Sequence, residues 1–199
     1  MSLKSLLVCL LCGASLVCAH PHVFVDAKIK VVFDNAGFSA VKNHWVYDEI
    51  YSSAMMSSGD ADGDGKISES ENKWFCETIL GPLKEFNYYN YVQSGSVFLK
   101  AQGLPNFKAS FKNGRLILDF DVKFTSPADP SGGADYTMLV IAVADPSNYI
   151  QVTADMENAD VDGPESFDIE FFNDGLQGLT LFRAFRSDIE GLYLRFKKK

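Results

Sequence analysis

The chain has 199 residues, with 18 Lys and Arg against 26 Asp and Glu, a formal net charge of −8. That length supports one domain with a substantial core, or one domain carrying an insertion. The acidic balance leaves no obvious nucleic-acid face, and no apolar stretch beyond the first approaches membrane-spanning length.

The chain opens with MSLKSLLVCLLCGASLVCAHPH. Lys4 precedes an apolar run from Leu6 to Val17, and Val17-Cys18-Ala19 offers the modest side chains that a signal peptidase reads. The run is short for a bilayer span. We expect a signal peptide over 1–19, cleavage after Ala19, export to the periplasm or beyond, and a single mature domain over 20–199. A lipoprotein would need a small residue before its cysteine, but Val17 precedes Cys18 and Leu11 precedes Cys12. Cys9, Cys12 and Cys18 leave with the leader, so Cys76 has no partner for an intramolecular disulfide.

Residues 23–34 alternate as a strand. Val23, Val25, Ala27, Ile29 and Val31 share one face; Phe24, Asp26, Lys28 and Lys30 share the other. The turn 34–37, Asp-Asn-Ala-Gly, returns a second strand over about 38–46. The pattern then becomes helical, with Val46, Ile50, Tyr51 and Ala54 at helical spacing. A second helical stretch carries Trp74, Phe75, Ile79 and Leu83, and Gly81-Pro82 should bend or interrupt it. Strands resume near 96–101, 107–112 and 115–124, the last two joined by the hairpin turn Lys-Asn-Gly-Arg. Further strands fall in 136–145, 148–155, 166–172 and 191–197. The expected fold class is α+β: a mainly antiparallel β domain with a helix-loop-helix inserted at about 46–86.

Between the two helical stretches lies Asp60-Ala-Asp62-Gly-Asp64-Gly65-Lys66-Ile67-Ser68-Glu-Ser-Glu71. Counted from Asp60, aspartates occupy positions 1, 3 and 5, glycine 6, isoleucine 8, serine 9 and glutamate 12, which is the spacing of an EF-hand calcium loop. Calcium takes six to eight oxygens. Asp60, Asp62 and Asp64 would give carboxylates, Lys66 its backbone carbonyl, Ser68 a direct or water-mediated contact, and Glu71 both carboxylate oxygens. Gly65 permits the sharp turn and Ile67 should pack inward. A bland reading competes, because Ser68 and Glu71 also form a helix capping box. The segment Asn158, Asp160, Asp162, Gly163 repeats the first half of the pattern, but Glu165 and Ile169 fall where an apolar residue and a glutamate are wanted. A solitary loop in a β protein should stabilise it more than switch it.

Cleavage after Ala19 would make His20 the first residue, with His22 and Asp26 on the same face of the first strand. A hairpin turning at 34–37 pairs residues summing to about 71, which sets His44 opposite Ala27. A cluster of His20, His22, Asp26 and His44 with the free amine suits zinc, nickel or copper; the bland alternative leaves His20 in solvent and His44 half-buried beneath Trp45.

The His20-Pro21-His22 start with Asp26, the Trp45-Val46-Tyr47-Asp48-Glu49 segment, the aspartate-glycine loop, and Asp145-Pro146 followed by Tyr149 together resemble the DUF1007 family of bacterial exported proteins. The resemblance spans essentially the whole mature chain. It implies a metal-handling accessory role, since some members are encoded beside nickel, cobalt or zinc transport proteins, with a membrane transporter component as partner. This chain departs from the family in a shorter, strand-like C-terminal part with little cysteine, which leaves a thiol ligand there without support. Two readings stay open: an exported calcium-binding protein whose histidine face handles a second metal, and a calcium-stabilised structural or interaction module presenting the aromatic segment 85–92. An enzyme is not expected. Asp48 and Glu49 would point roughly 100° apart on a helix, and no nucleotide loop or nucleophile elbow occurs.

Overall fold

In a computed structural model that describes residues 22–127, 136–147, 149–176 and 189–199, the first strand, β1 (Val23–Asp34), buries Val23, Val25, Ala27, Ile29, Val31 and Phe33 and turns Phe24, Asp26 and Lys28 outward. The Asp34 carboxylate accepts the Ala36 N–H at 2.8 Å, and Gly37 takes a φ of +119° that admits the chain into β2 (Gly37–Tyr47). The remaining strands are β3 (Asn90–Ser94), β4 (Val97–Phe98), β5 (Ala101–Gly103), β6 (Phe107–Lys112), β7 (Arg115–Phe124), β8 (Thr137–Val143), β9 (Ile150–Asp162), β10 (Phe167–Gly175) and β11 (Glu190–Lys198). One sheet runs β5-β7-β2-β1-β9 with β6 also along β7; the other runs β10-β11-β8-β3-β4. All pairings are antiparallel except β1 with β9. The β6–β7 hairpin turns at Asn113 and Gly114, both at positive φ, as the Asn-Gly dipeptide expects. One core joins the two sheets; Phe33 of the first meets Phe196 of the second edge-on at 4.9 Å.

The expected α+β class and the inserted helix-loop-helix are both present. Helix α1 (Glu49–Gly59) follows β2 directly, and α2 (Glu69–Phe75) follows the acidic loop. A π-helical turn (Cys76–Leu80) and a 3-10 segment (Gly81–Tyr89) return the chain to β3, breaking the helix where Gly81-Pro82 stands. Helix α1 buries Ser52, Met56 and Gly59, spaced i, i+4, i+7, while Ile50, expected on the apolar face, is 86% exposed. Ser52 replaces apolar contact with stitching: its Oγ accepts the Leu116 N–H of β7 at 2.8 Å. At the end of α1 a Cβ on Gly59 would fall 2.5 Å from the Phe75 ring and 2.6 Å from the Trp74 ring. Gly59→Ala should therefore cost about 1–3 kcal/mol by overpacking, more than the gain in helix propensity. Urea unfolding should show a lowered midpoint; an unchanged or raised one would mean that the rings yield.

Two expectations are corrected. A bulge between Val32 and Phe33 shifts the β1–β2 register, so that His44 faces Lys28 and Trp45 faces Ala27. One residue of slip exchanges the faces of a strand, and His44 therefore points out while Trp45 is fully buried. The aromatic segment 85–92 is mostly core: Tyr88, Tyr89, Tyr91 and Val92 are buried, Phe86 is the one exposed ring, and the segment runs into β3. Asn87, Tyr88 and Tyr89 all have positive φ, an arrangement held by the Asn87 side chain, which donates to the Leu99 carbonyl at 3.1 Å and accepts the Ala101 N–H at 3.0 Å. Asn158, Asp160 and Asp162, which repeat only the first half of the loop pattern, lie in extended β9, where Asp160 and Asp162 pair with Lys30 at 3.0 and 3.4 Å.

Candidate functional site

The acidic loop is organised from its own backbone. Both oxygens of Asp60 accept N–H groups, from Gly63 and from Gly65, each at 2.9 Å. Gly63 and Gly65 reach φ of +71° and +75°, a region glycine enters without a Cβ penalty. Asp62 accepts the Asp64 N–H at 3.2 Å and Asp64 accepts the Lys66 N–H at 2.8 Å. Ile67 packs against the core, as its position predicts. Ser68 caps α2, and Glu71 answers it in the reciprocal capping box. Glu71 is buried, yet its Oε1 accepts the Ala61 N–H at 2.7 Å and its Oε2 the Ser68 N–H at 2.8 Å and the Ser68 hydroxyl at 2.7 Å. The Ser68 N–H, then the Ser68 hydroxyl and the Ala61 N–H, hold its carboxyl below the usual range.

Carboxylate oxygens of Asp60, Asp62 and Glu71 come within 4.8 Å of one another, so the three acids can chelate a divalent cation. Glu71 is the residue that joins the two halves of the loop, reaching back ten residues to Ala61. The carboxylate of Asp64 lies outside this group, and the Ser68 hydroxyl is committed to the capping box. The donor set is hard oxygen throughout, and the Asp60 carboxylate, which accepts one N–H per oxygen, keeps further lone pairs for a cation. The carboxylates present therefore suit a divalent cation.

His20 lies outside the described residues, as do residues 1–19 and their expected cleavage site. His22 is described at the start of β1, where its N–H donates to the Tyr149 carbonyl at 3.0 Å and its ring lies 5.1 Å from the Tyr149 ring. Asp26 and His44 do not join it. Asp26 pairs with Arg115 at 3.1 Å, and His44 Nδ1 bonds Asp119 at 2.7 Å from its place opposite Lys28. Among the described residues, His22, Asp26 and His44 form no common ligand group.

What surrounds His22 is a surface cavity of about 430 Å³ whose lining also includes Asp48, Glu49 and Arg115. Asp48 is the N-cap of α1: one carboxylate oxygen accepts the Tyr51 N–H at 2.9 Å and the other the Phe24 N–H at 3.0 Å, tying the helix start to β1. Burial pushes its pKa up, but the N–H groups of Phe24, Tyr51 and Ile50 outweigh that and lower it. Across the same end, buried Asp145 accepts the Ser147, Tyr149 and Ile150 N–H groups at 2.8, 3.1 and 2.9 Å and the Ser147 hydroxyl at 2.7 Å. Both aspartates are thus positioning residues. An Asp before a helical pattern and an Asp-Pro-Ser turn are signals that sequence carries; their convergence is not.

Asp48→Ala should cost about 1–2 kcal/mol, the range of a lost N-cap. Its folded pKa is depressed, so its contribution is complete above the ordinary carboxylate range and disappears as pH falls through the folded value. Urea midpoints measured from neutral pH down to about pH 3 should converge for Asp48→Ala and the natural chain. A constant gap would place the cost elsewhere.

The family model described as "Protein of unknown function (DUF1007)" matches residues 5–172. An uncharacterized protein of Haemophilus influenzae is 22% identical over 139 residues, covering 69% of this chain and 64% of its own length, so the chain spans less than two thirds of that relative. Acetylcholine-binding protein type 1 of Biomphalaria glabrata matches over 98% of both chains at 10% identity with a TM-score of 0.42, too low to carry an argument about fold or ligand.

Proposed function

This chain belongs to the DUF1007 family, and we propose that it is an exported, non-catalytic divalent-cation-binding protein. In this reading calcium occupies the loop 60–71, and the N-terminal histidines handle a zinc, nickel or copper ion for a membrane transport system. The observation that carries it is the meeting of Asp60, Asp62 and Glu71 within 4.8 Å across a loop whose glycines hold the turn open. Hard carboxylate oxygen favours calcium over zinc, nickel or copper, which suit imidazole. The loop is framed by two short helices packed into the core, α1 stitched to β7 through Ser52 and α2 to β6 through Asn72, which supports a stabilising role for calcium. The histidine part rests on the position of His22 at the lip of a cavity and on the sequence before it.

A second reading, a calcium-stabilised interaction module, draws on a different observation. Phe171 and Phe172 on β10 and Met138 on β8 are exposed large apolar groups on the second sheet. Total metal content of the protein purified from its native compartment into calcium-containing buffer separates the two. Calcium together with a transition metal supports the metal-handling role; calcium alone, with no zinc, nickel or copper retained or rebound, supports the module.

A further inference from the structure

We propose that Asn72 is a positioning residue that makes the order of the acidic loop and the closure of the β6 edge one event. Strand β6 pairs with β7 along one side. The Asn106 carbonyl accepts the Asp121 N–H at 3.2 Å, so by alternation the backbone groups of Asn106 and Lys108 face β7 and those of Phe107 and Ala109 face away. Among the described residues no strand meets that second side. The half-buried Asn72 side chain stands in for one. Its Oδ1 accepts the Ala109 N–H at 2.6 Å, and its Nδ2 donates to the Phe107 carbonyl at 3.4 Å. One amide thus satisfies a donor and an acceptor that an edge strand otherwise leaves open.

The aim of that amide is set in the loop. Asn72 follows Glu71, and its own N–H donates to the Ser68 carbonyl at 2.8 Å in the first turn of α2. A helix of 7 residues does not hold itself together in water. The far end of α2 is anchored by buried Phe75. Its near end is held by Glu71, which accepts the Ala61 and Ser68 N–H groups, and by Asn72 on β6. Adjacent residues thus grip two different parts of the chain through one turn. Opening the loop turns the amide off β6, and losing the amide loosens the turn that carries Glu71; such coupling is reciprocal. The effect reaches a second surface. Asn106, Phe107 and Lys108 form one wall of a cavity of about 450 Å³ that His44 and Asp119 also line, so the loop governs how firmly that wall is held. The coupling stands on these bonds; that a divalent cation sets the state of the loop rests on the reading given under the proposed function.

The test is amide hydrogen exchange on the full chain, read at Ala109, at Ala61 and, as a control in the second sheet, at Leu99, whose N–H donates to the Val92 carbonyl. Without added metal, Glu71→Ala should speed exchange at Ala109 about tenfold although the acceptor of that N–H is on Asn72. Asn72→Ala should speed exchange at Ala61 by about 2–10-fold, the scale of one hydrogen bond, although the acceptor there is on Glu71. Leu99 should stay within about twofold in both variants. Calcium at about a hundredfold excess over its dissociation constant should slow Ala61 and Ala109 by about a hundredfold in the natural chain, and Ala61 alone in Asn72→Ala. Ala109 unmoved by Glu71→Ala, or Ala61 unmoved by Asn72→Ala, would overturn the coupling, as would equal acceleration at Leu99. Calcium that slows Ala61 but not Ala109 in the natural chain would also overturn it and leave the cation reading intact. Calcium that slows neither, with both variants behaving as expected, would overturn the cation reading and leave the coupling. Should Glu71→Ala fail to fold, Ser68→Ala breaks the capping box from its other side and must speed Ala109 in the same way.

Discussion

Calcium at a hundredfold excess over its dissociation constant should raise the thermal midpoint of this chain by about 5–11 °C over a chelator-treated sample. The figure comes from mass action. A ligand that binds the folded state alone adds about 2.7 kcal/mol at that excess, and a domain of this size moves about 2–4 °C per kcal/mol. The cation would draw together Asp60, Asp62 and Glu71, whose oxygens already lie within 4.8 Å. Asp60→Ala with Glu71→Ala should abolish the shift. Glu71→Ala also removes the acceptor of the Ala61 and Ser68 N–H groups and breaks the capping box, so the starting midpoint falls too. The difference between calcium and chelator is the quantity to compare. A shift of natural size in the double variant would place the stabilising ion outside the loop.

Phe75→Ala should destabilise the chain by about 3–5 kcal/mol, the range for a buried aromatic ring. Phe75 has no exposed surface, meets the Trp74 ring edge-on at 5.1 Å, and closes over Gly59. It is the anchor that fixes the outgoing helix of the loop to the incoming one, so calcium affinity should fall with stability. A loss below about 1 kcal/mol in urea unfolding would show that the cavity refills or that the helix pair is held by other contacts.

The helix-loop-helix was legible in sequence because its chemistry is local. Ligand spacing, Gly65, the inward Ile67 and the Ser68–Glu71 box all lie within twelve residues, and each has a conformational reason independent of the rest of the chain. The first strand was legible for the same reason, since strict alternation from Val23 to Val31 has one solution. Long-range placement was not. The bulge at Val32–Phe33 leaves no mark in composition, yet it moves His44 to the face opposite the one assigned to it. Tyr88 and Tyr89 take positive φ with no glycine to announce it, because Asn87, Asn90 and the neighbouring strands clamp the turn; a segment that reads as an aromatic surface becomes core. The parallel pairing of β1 with β9 joins residues more than a hundred positions apart and brings Tyr149 to His22, a contact that local pattern cannot supply.

Asp48 follows the same logic. Adjacent Asp48 and Glu49 read as an acidic pair, but the fold spends Asp48 on the cap of α1 and leaves Glu49 exposed. The Asp145 loop shows the cap alone: a buried carboxylate spent on three N–H groups and the Ser147 hydroxyl, holding Tyr149 where His22 meets it.

Isothermal titration of calcium into the metal-free chain, beside Asp60→Ala/Glu71→Ala, tests the cation-binding claim most directly. We predict one principal site with a dissociation constant of about 10⁻⁵ to 10⁻³ M, in the range of extracellular modules, and no heat of binding in the double variant. No calcium binding by the natural chain, or undiminished binding by the double variant, would contradict it.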